Sequence, residues 1–215
     1  MDFKYFLAPE DSMLDIEQNV AQLPVLPNCS LCGQQSRCFL IAVDEDEEGQ
    51  VRDNAGFFLA ENETIENFTV ISGKPENPWE PDFFYRGCME CLRQGRFTVW
   101  HYTDVGEIEN GEFTSESKRG LTIAKESILE LSRTPSFSTF QQAIWLSHCN
   151  DFMAYLGEWE REDFNKNAPE GEGQKLFGEV EQAEPGEEWV KLRDSGFYLF
   201  RCLHCGKMRS FSDWD

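Results

Sequence analysis

The sequence predicts an α+β fold in which antiparallel strands carry C-x-x-C zinc knuckles, with a pair of helices packed between the second and third knuckles. Three observations lead there. Six of the eight cysteines fall into C-x-x-C pairs, Cys29 with Cys32, Cys88 with Cys91 and Cys202 with Cys205. The segments flanking those pairs, "RCFLIAV", "RFTVWHYT" and "GFYLFRC", are short and rich in β-branched and aromatic residues. Between the second and third pairs, two longer stretches repeat their apolar residues at helical intervals.

Taken in order, residues 1–28 contain prolines, ending in "LPVLPN", and should run extended into the first knuckle. "RCFLIAV" then reads as a strand broken by "DEDEEG". That acidic run places Asp44, Asp46 and Glu48 like calcium-loop ligands. The twelfth position is Ala55, where a bidentate Glu is required, so a solvated turn is expected instead. "GFFLA", "NFTVISG" and "RFTVWHYT" are read as strands, with His101 in the last of them packed among aromatics rather than ligating. "TIAKESILELSRTP" has Ile123, Ile128, Leu129 and Leu131 apolar and stops at Pro135, which predicts a helix. "SFSTFQQAIWLSHCNDFMAYLGEW" places Phe137, Phe140, Ile144, Trp145, Cys149, Phe152, Met153 and Leu156 near helical spacing, which predicts a second. Residues 160–188 are rich in Gly, Pro and Glu and read as an acidic loop insertion. The whole, 1–215, is expected to be a single zinc-binding domain. Its sub-parts would be 1–104, with the first knuckle pair, and 105–215, with the helical hairpin and C-terminal knuckle.

Two intervening residues let one tight turn aim both thiolates of a C-x-x-C pair at one ion, and zinc takes four N or S ligands. Cys29, Cys32, Cys88 and Cys91 would close one all-thiolate site. Glycine follows Cys32 and Cys205, as a turn requiring positive φ would demand. The third pair needs partners, and "WLSHCND" offers Cys149 and His148; a second site would join Cys149, Cys202 and Cys205, with His148 or His204 as the fourth ligand. A dithiol redox role for Cys202 is disfavoured because no helix-length segment follows it.

With 40 Asp and Glu against 19 Lys and Arg, the formal net charge is −21. Such a surface repels phosphate backbones, which excludes ordinary nucleic-acid binding, and attracts a cationic protein. The densest acidic run, Asp44, Asp46, Glu47 and Glu48, is the candidate partner contact. No apolar run reaches the ~18–20 residues that span a bilayer, and the acidic start "MDFKYFLAPEDSM" is unlike a signal peptide, so no membrane association and a cytoplasmic location are expected. The chain lacks G-x-S-x-G, H-E-x-x-H, a phosphate-cradling glycine loop and the zinc-deaminase pattern, and it has only three histidines. A non-enzymatic protein is expected.

"RTPSFSTFQQAIWLSHCNDFMAYLGEW" and "YLFRCLHCGKMRSFSDWD", preceded by two C-x-x-C pairs in this order, resemble the CbrC family, small bacterial proteins associated with tolerance to a DNA-cleaving colicin. Members usually carry a C-P-W-C second knuckle where this chain has "CMEC", and often a cysteine at the position of Met153. The resemblance implies protection against a bacterial toxin and no established catalysis. Together with the charge it leads to one expected function: an acidic, zinc-stabilised immunity or tolerance factor that binds and neutralises a cognate protein toxin, a basic nuclease-type effector. The alternative is a zinc-dependent regulator or stress-tolerance protein that makes no toxin contact.

Overall fold

The computed structural model describes residues 3–14, 26–45, 51–53, 57–59, 69–70, 83–114, 122–139, 141–181, 189 and 196–213. The strands are β1 (Cys38–Glu45), β2 (Val51–Asp53), β3 (Phe57–Leu59), β4 (Thr69–Val70), β5 (Phe83–Cys88), β6 (Phe97–Val99), β7 (His101–Thr103), β8 (Gly106–Glu109), β9 (Glu112–Phe113), β10 (Ile144–Trp145), β11 (Ser147–His148), β12 (Asp151–Phe152), β13 (Ala154–Glu158), β14 (Gly196–Arg201) and β15 (Met208–Asp213). The helices are α1 (Met89–Arg93), α2 (Lys125–Ser132), α3 (Arg161–Asn167) and α4 (Gly173–Glu181). The architecture is mixed α+β with antiparallel sheets, β10 against β7 being a parallel pair.

The first sheet runs β2-β1-β5-β4. Its central pairing, β1 against β5, sets Cys38 opposite Cys88 and Ile41 opposite Tyr85. This register explains how cysteine pairs separated by 55 residues converge: the first pair lies just before β1, and the second begins where its partner strand ends. A second sheet runs β10-β7-β8-β9, and a third β13-β14-β15.

In β14 the alternation of side chains assigns two cores to two faces. Tyr198 and Phe200 belong to the main apolar cluster, with Phe137, Trp145, Phe152 and Tyr155. Phe197 and Leu199 face a smaller cluster with Phe164, Phe177 and Val180 from α3 and α4. The N-terminal segment closes the edge of β13, where Leu7 N–H donates to Tyr155 and Tyr155 N–H donates to Tyr5. His101 is buried, its Nε2 3.0 Å from the Thr134 carbonyl, a packed histidine as expected.

Two expected elements differ. The predicted helix at Lys125–Ser132 forms, but the second, over "SFSTFQQAIWLSHCNDFMAYLGEW", does not; the chain there makes β10, β11, β12 and β13. Ser147 pairs with Phe152 and His148 with Asp151, leaving Cys149 and Asn150 as a two-residue turn with φ of 54° and 56°. Positive φ at both central residues is the signature of the tight hairpin turns that match strand twist. Residues 151–155 are buried without a break, which a helix with one apolar stripe cannot achieve and an interior strand can. The expected hairpin of helices from these two stretches therefore does not form; the packed helix pair between the second and third cysteine pairs is α3 with α4, where Phe164 meets Phe177. The 160–188 insertion is not simply loop either, since α3 and α4 occupy most of it. Glu160 and Asp163 form a reciprocal capping box at the start of α3, and Phe164, Phe177 and Val180 cover the second face of β14. Residues 182–188 lie outside those described. Among the described residues, no helix is long and apolar enough to cross a membrane.

Candidate metal centres

The first C-x-x-C pair sits in a turn in which Gly33 N–H donates to Cys29 C=O at 2.8 Å and Cys29 N–H donates to Gln34 C=O at 2.9 Å. The last pair repeats this pattern: Gly206 N–H to Cys202 C=O at 3.0 Å, and Cys202 N–H to Lys207 C=O at 2.8 Å. Gly33 and Gly206 have φ of 73° and 74°, a left-handed conformation that glycine adopts without cost, in keeping with the expectation from sequence. The middle pair is built differently. Cys88 ends β5 and caps α1, its sulfur accepting from Cys91 N–H at 3.5 Å.

Cys29, Cys32, Cys88 and Cys91 converge, one donor atom of each lying within 4.8 Å of all the others. The Cys29 and Cys91 sulfurs are 3.7 Å apart, as are those of Cys32 and Cys88. Sulfurs ~2.3 Å from one tetrahedral ion are ~3.8 Å apart, so the spacing suits a single metal. Cys88 N–H reaches the Cys29 sulfur at 3.3 Å and Arg96 Nη1 the Cys91 sulfur at 3.6 Å, donors that stabilise thiolate. The thiol of Cys38, which sequence reasoning left out of any site, lies against this group. Its hydrogen bond is the largest influence holding Cys29 down at about 4, against the burial that would raise it. Burial instead pushes Cys88 and Cys91 up.

The second group is His148, Cys149, Cys202 and Cys205, its donor atoms also within 4.8 Å of one another. The Cys149 and Cys205 sulfurs are 3.8 Å apart, and His148 Nδ1 lies 3.2 Å from Cys149 and 3.4 Å from Cys205. Adjacent residues serve the same group because they sit at a hairpin turn. On a helix they would diverge by ~100°. His204, the other candidate fourth ligand, points elsewhere: its Nε2 lies 2.9 Å from Asp151 Oδ2. This group is more open than the first, with Cys149 and Cys205 exposed and Cys202 buried. The adjoining Cys205 thiol pushes Cys149 up to about 11, while the backbone N–H of Lys207 pulls Cys205 down.

Asp151 is the second residue the sequence did not single out. Only 5% exposed, it accepts from Tyr5 Oη at 2.5 Å, from Lys4 Nζ at 3.1 Å and from the Phe152 N–H at 2.9 Å, besides its contact with His204. Burial alone would raise its pKa, but the donors, Tyr5 first, together hold it well below the usual carboxylate range. Its sequence context, a carboxylate two residues beyond Cys149, was the available clue. Of the candidate partner contacts, Asp44 lies in β1 opposite Arg52, and Asp46, Glu47 and Glu48 fall outside the described residues.

Both groups could hold a metal ion, and thiolates with one imidazole are compatible with zinc. The remaining coordination would be supplied entirely by protein, which suits an ion that cross-links rather than one that reacts.

A family model described as an uncharacterised protein family, UPF0167, matches residues 81–214. A UPF0167 protein of Pseudomonas aeruginosa is 32% identical over 93 residues, 40% of this chain and 50% of that protein. One of Mycobacterium bovis is 32% identical over 90 residues, 39% of this chain and 48% of its own. The chain spans about half the length of the curated relatives it matches. No solved structure matches. The matched span runs from β5 to β15 and includes all of the second ligand group and half of the first; this chain belongs to the uncharacterised protein family UPF0167.

Proposed function

We propose that the protein is an acidic binding protein, clasped by structural zinc at C-x-x-C knuckles, that acts as an immunity or tolerance factor by occupying the basic surface of a bacterial toxin, in the manner suggested by its resemblance to CbrC proteins. The observation that carries this reading is the charge of −21 on a chain whose thiolate-rich groups could each fill a metal's coordination without a position left for substrate. The α3–α4 region supports it, since Glu158, Glu160, Glu162, Glu170, Glu172 and Glu179 are all exposed there. A cationic nuclease-type partner would be steered onto such a face, with association slowing as salt screens it.

The test is calorimetry of the zinc-loaded protein with a toxin encoded beside its gene, over a range of salt, with an unrelated basic protein of similar charge as comparison. One-to-one binding that is tighter for the cognate toxin and weakens with salt is expected. Equal binding of the two would overturn the toxin reading in favour of a zinc-dependent regulator that makes no toxin contact.

A further inference from the structure

A cavity of about 430 Å³ opens between the β13-β14-β15 sheet and the α3–α4 pair, lined by Leu156, Trp159, Asn167, Leu176, Arg201 and Met208. It lies on the α3–α4 face of β14, where alternation continues Phe197 and Leu199 with Arg201. The helices cover Phe197 and Leu199 but stop short of the end of the strand. Leu156, Trp159, Leu176 and Met208 are left half-buried around the gap. Its volume falls at the lower end of the ~300–1,000 Å³ typical of small-molecule clefts.

Arg201 gives the cavity its chemistry. In a chain with 40 carboxylates, cations readily find partners: Arg37 pairs with Glu10, Lys175 with Glu172, and Arg209, beside Met208 on β15, with Asp104. The Arg201 side chain has no ion pair or hydrogen bond among the described residues, its backbone being held in the ladder between Ala154 and Met208. The register explains the contrast. Arg209 pairs with Phe200 and shares its face, reaching Asp104 and the Ser147 carbonyl, whereas Arg201 pairs with Met208 and points with it into the cavity. A guanidinium at the mouth of a cleft lined otherwise by Leu156, Trp159, Asn167, Leu176 and Met208 offers a planar fork of donors that matches carboxylate and phosphate groups, and the single charge of a carboxylate is the less costly of the two to bring against these side chains.

We propose that this cavity is a binding site for a small carboxylate with an aromatic or branched aliphatic tail, the carboxylate held by Arg201 and the tail lodged among Leu156, Trp159, Leu176 and Met208. Trp159 would stack on or edge against an aromatic tail, and Met208 would adapt to its outline. The site is separate from both cysteine groups and does not depend on the toxin reading.

Phenylbutyrate is a suitable probe, with phenylbutanamide as its uncharged counterpart of nearly the same shape. Titrating each into the full-length, zinc-loaded protein while following backbone amide NMR shifts should move the resonances of Leu156, Trp159, Leu176 and Met208 for the acid. The amide should bind about tenfold more weakly, the loss expected for one charge-assisted bidentate pair. Arg201→Gln, a substitution at an exposed side chain whose unfolding should match that of the unsubstituted protein, should weaken the acid by a similar factor and leave the amide unaffected. Equal binding of acid and amide, or undiminished binding of the acid to Arg201→Gln, would overturn the assignment, as would shifts confined to residues outside the cavity.

Discussion

His204 Nε2 and Asp151 Oδ2 lie 2.9 Å apart, joining the turn that carries Cys202 and Cys205 to the hairpin that carries His148 and Cys149. The same carboxylate also holds Tyr5 and Lys4, so one buried acid ties the N-terminal segment, the hairpin and the C-terminal turn together. Removing its charge leaves the buried Tyr5 hydroxyl and Phe152 N–H without an acceptor, while the exposed Lys4 and His204 turn to water. Asp151→Ala is expected to lower unfolding stability by about 3 kcal/mol, measured by urea titration, with Asp151→Asn losing less because it keeps one acceptor oxygen.

The two ligand groups predict independent metal loading. Protein purified without added metal should carry about two equivalents of zinc by elemental mass spectrometry. Cys149→Ser and Cys202→Ser should each lower this to about one, as should Cys32→Ser, while the double variant Cys32→Ser/Cys202→Ser loses both. His148→Ala should weaken the second site, whereas His204→Ala should retain its metal. One equivalent unaffected by Cys202→Ser would show that the C-terminal turn is metal-free.

His101 predicts a pH dependence. Burial against Trp145 and α2 holds its pKa down at about 4, below the ordinary value of 6.5. As pH falls the unfolded chain therefore takes up the proton first. The stability contributed by the neutral ring is complete above about pH 6.5, declines below it, and stops declining near pH 4, about 3 kcal/mol in all. His101→Gln should show a shallower loss across that window in thermal unfolding. Loss of any bound metal at low pH would be common to both proteins, so the difference between their slopes isolates the imidazole.

Phe137 predicts the largest single packing loss. Its ring stacks on Tyr155 at 4.2 Å and meets Trp145, Tyr198 and Phe200 at 5.4, 5.5 and 5.6 Å. Phe137→Ala should cost about 3–5 kcal/mol in chemical unfolding, because a rigid aromatic cluster cannot collapse into the space. Gly173→Ala probes the smaller core: an added Cβ would lie 2.9 Å from the backbone of Asn165, so α3 and α4 would separate, at a cost of about 1–3 kcal/mol.

The sequence by itself determined the chemistry of the cysteines. Spacing of two within each pair, glycine after Cys32 and Cys205, and His148 beside Cys149 are local features that need no fold to be read. Strands at "RCFLIAV" and "GFYLFRC" and the helix ending before Pro135 were legible for the same reason, since propensity and breakers act over a few residues. The tertiary structure decided the remainder. Residues 144–158 have apolar spacing compatible with a helix, yet β7 and β14 supply backbone partners and bury both faces, so the chain becomes strands, and the positive φ of Cys149 and Asn150 turns it back. Residues 160–188 read as an acidic loop insertion, but the face of β14 that carries Phe197 and Leu199 gives Phe164, Phe177 and Val180 something to cover, and α3 and α4 form there. The selection of His148 over His204 likewise follows from Asp151, a carboxylate whose burial depends on contacts from opposite ends of the chain. Local preferences name the candidate ligands, and long-range burial chooses among them, because side-chain direction depends on which backbone pairs with which.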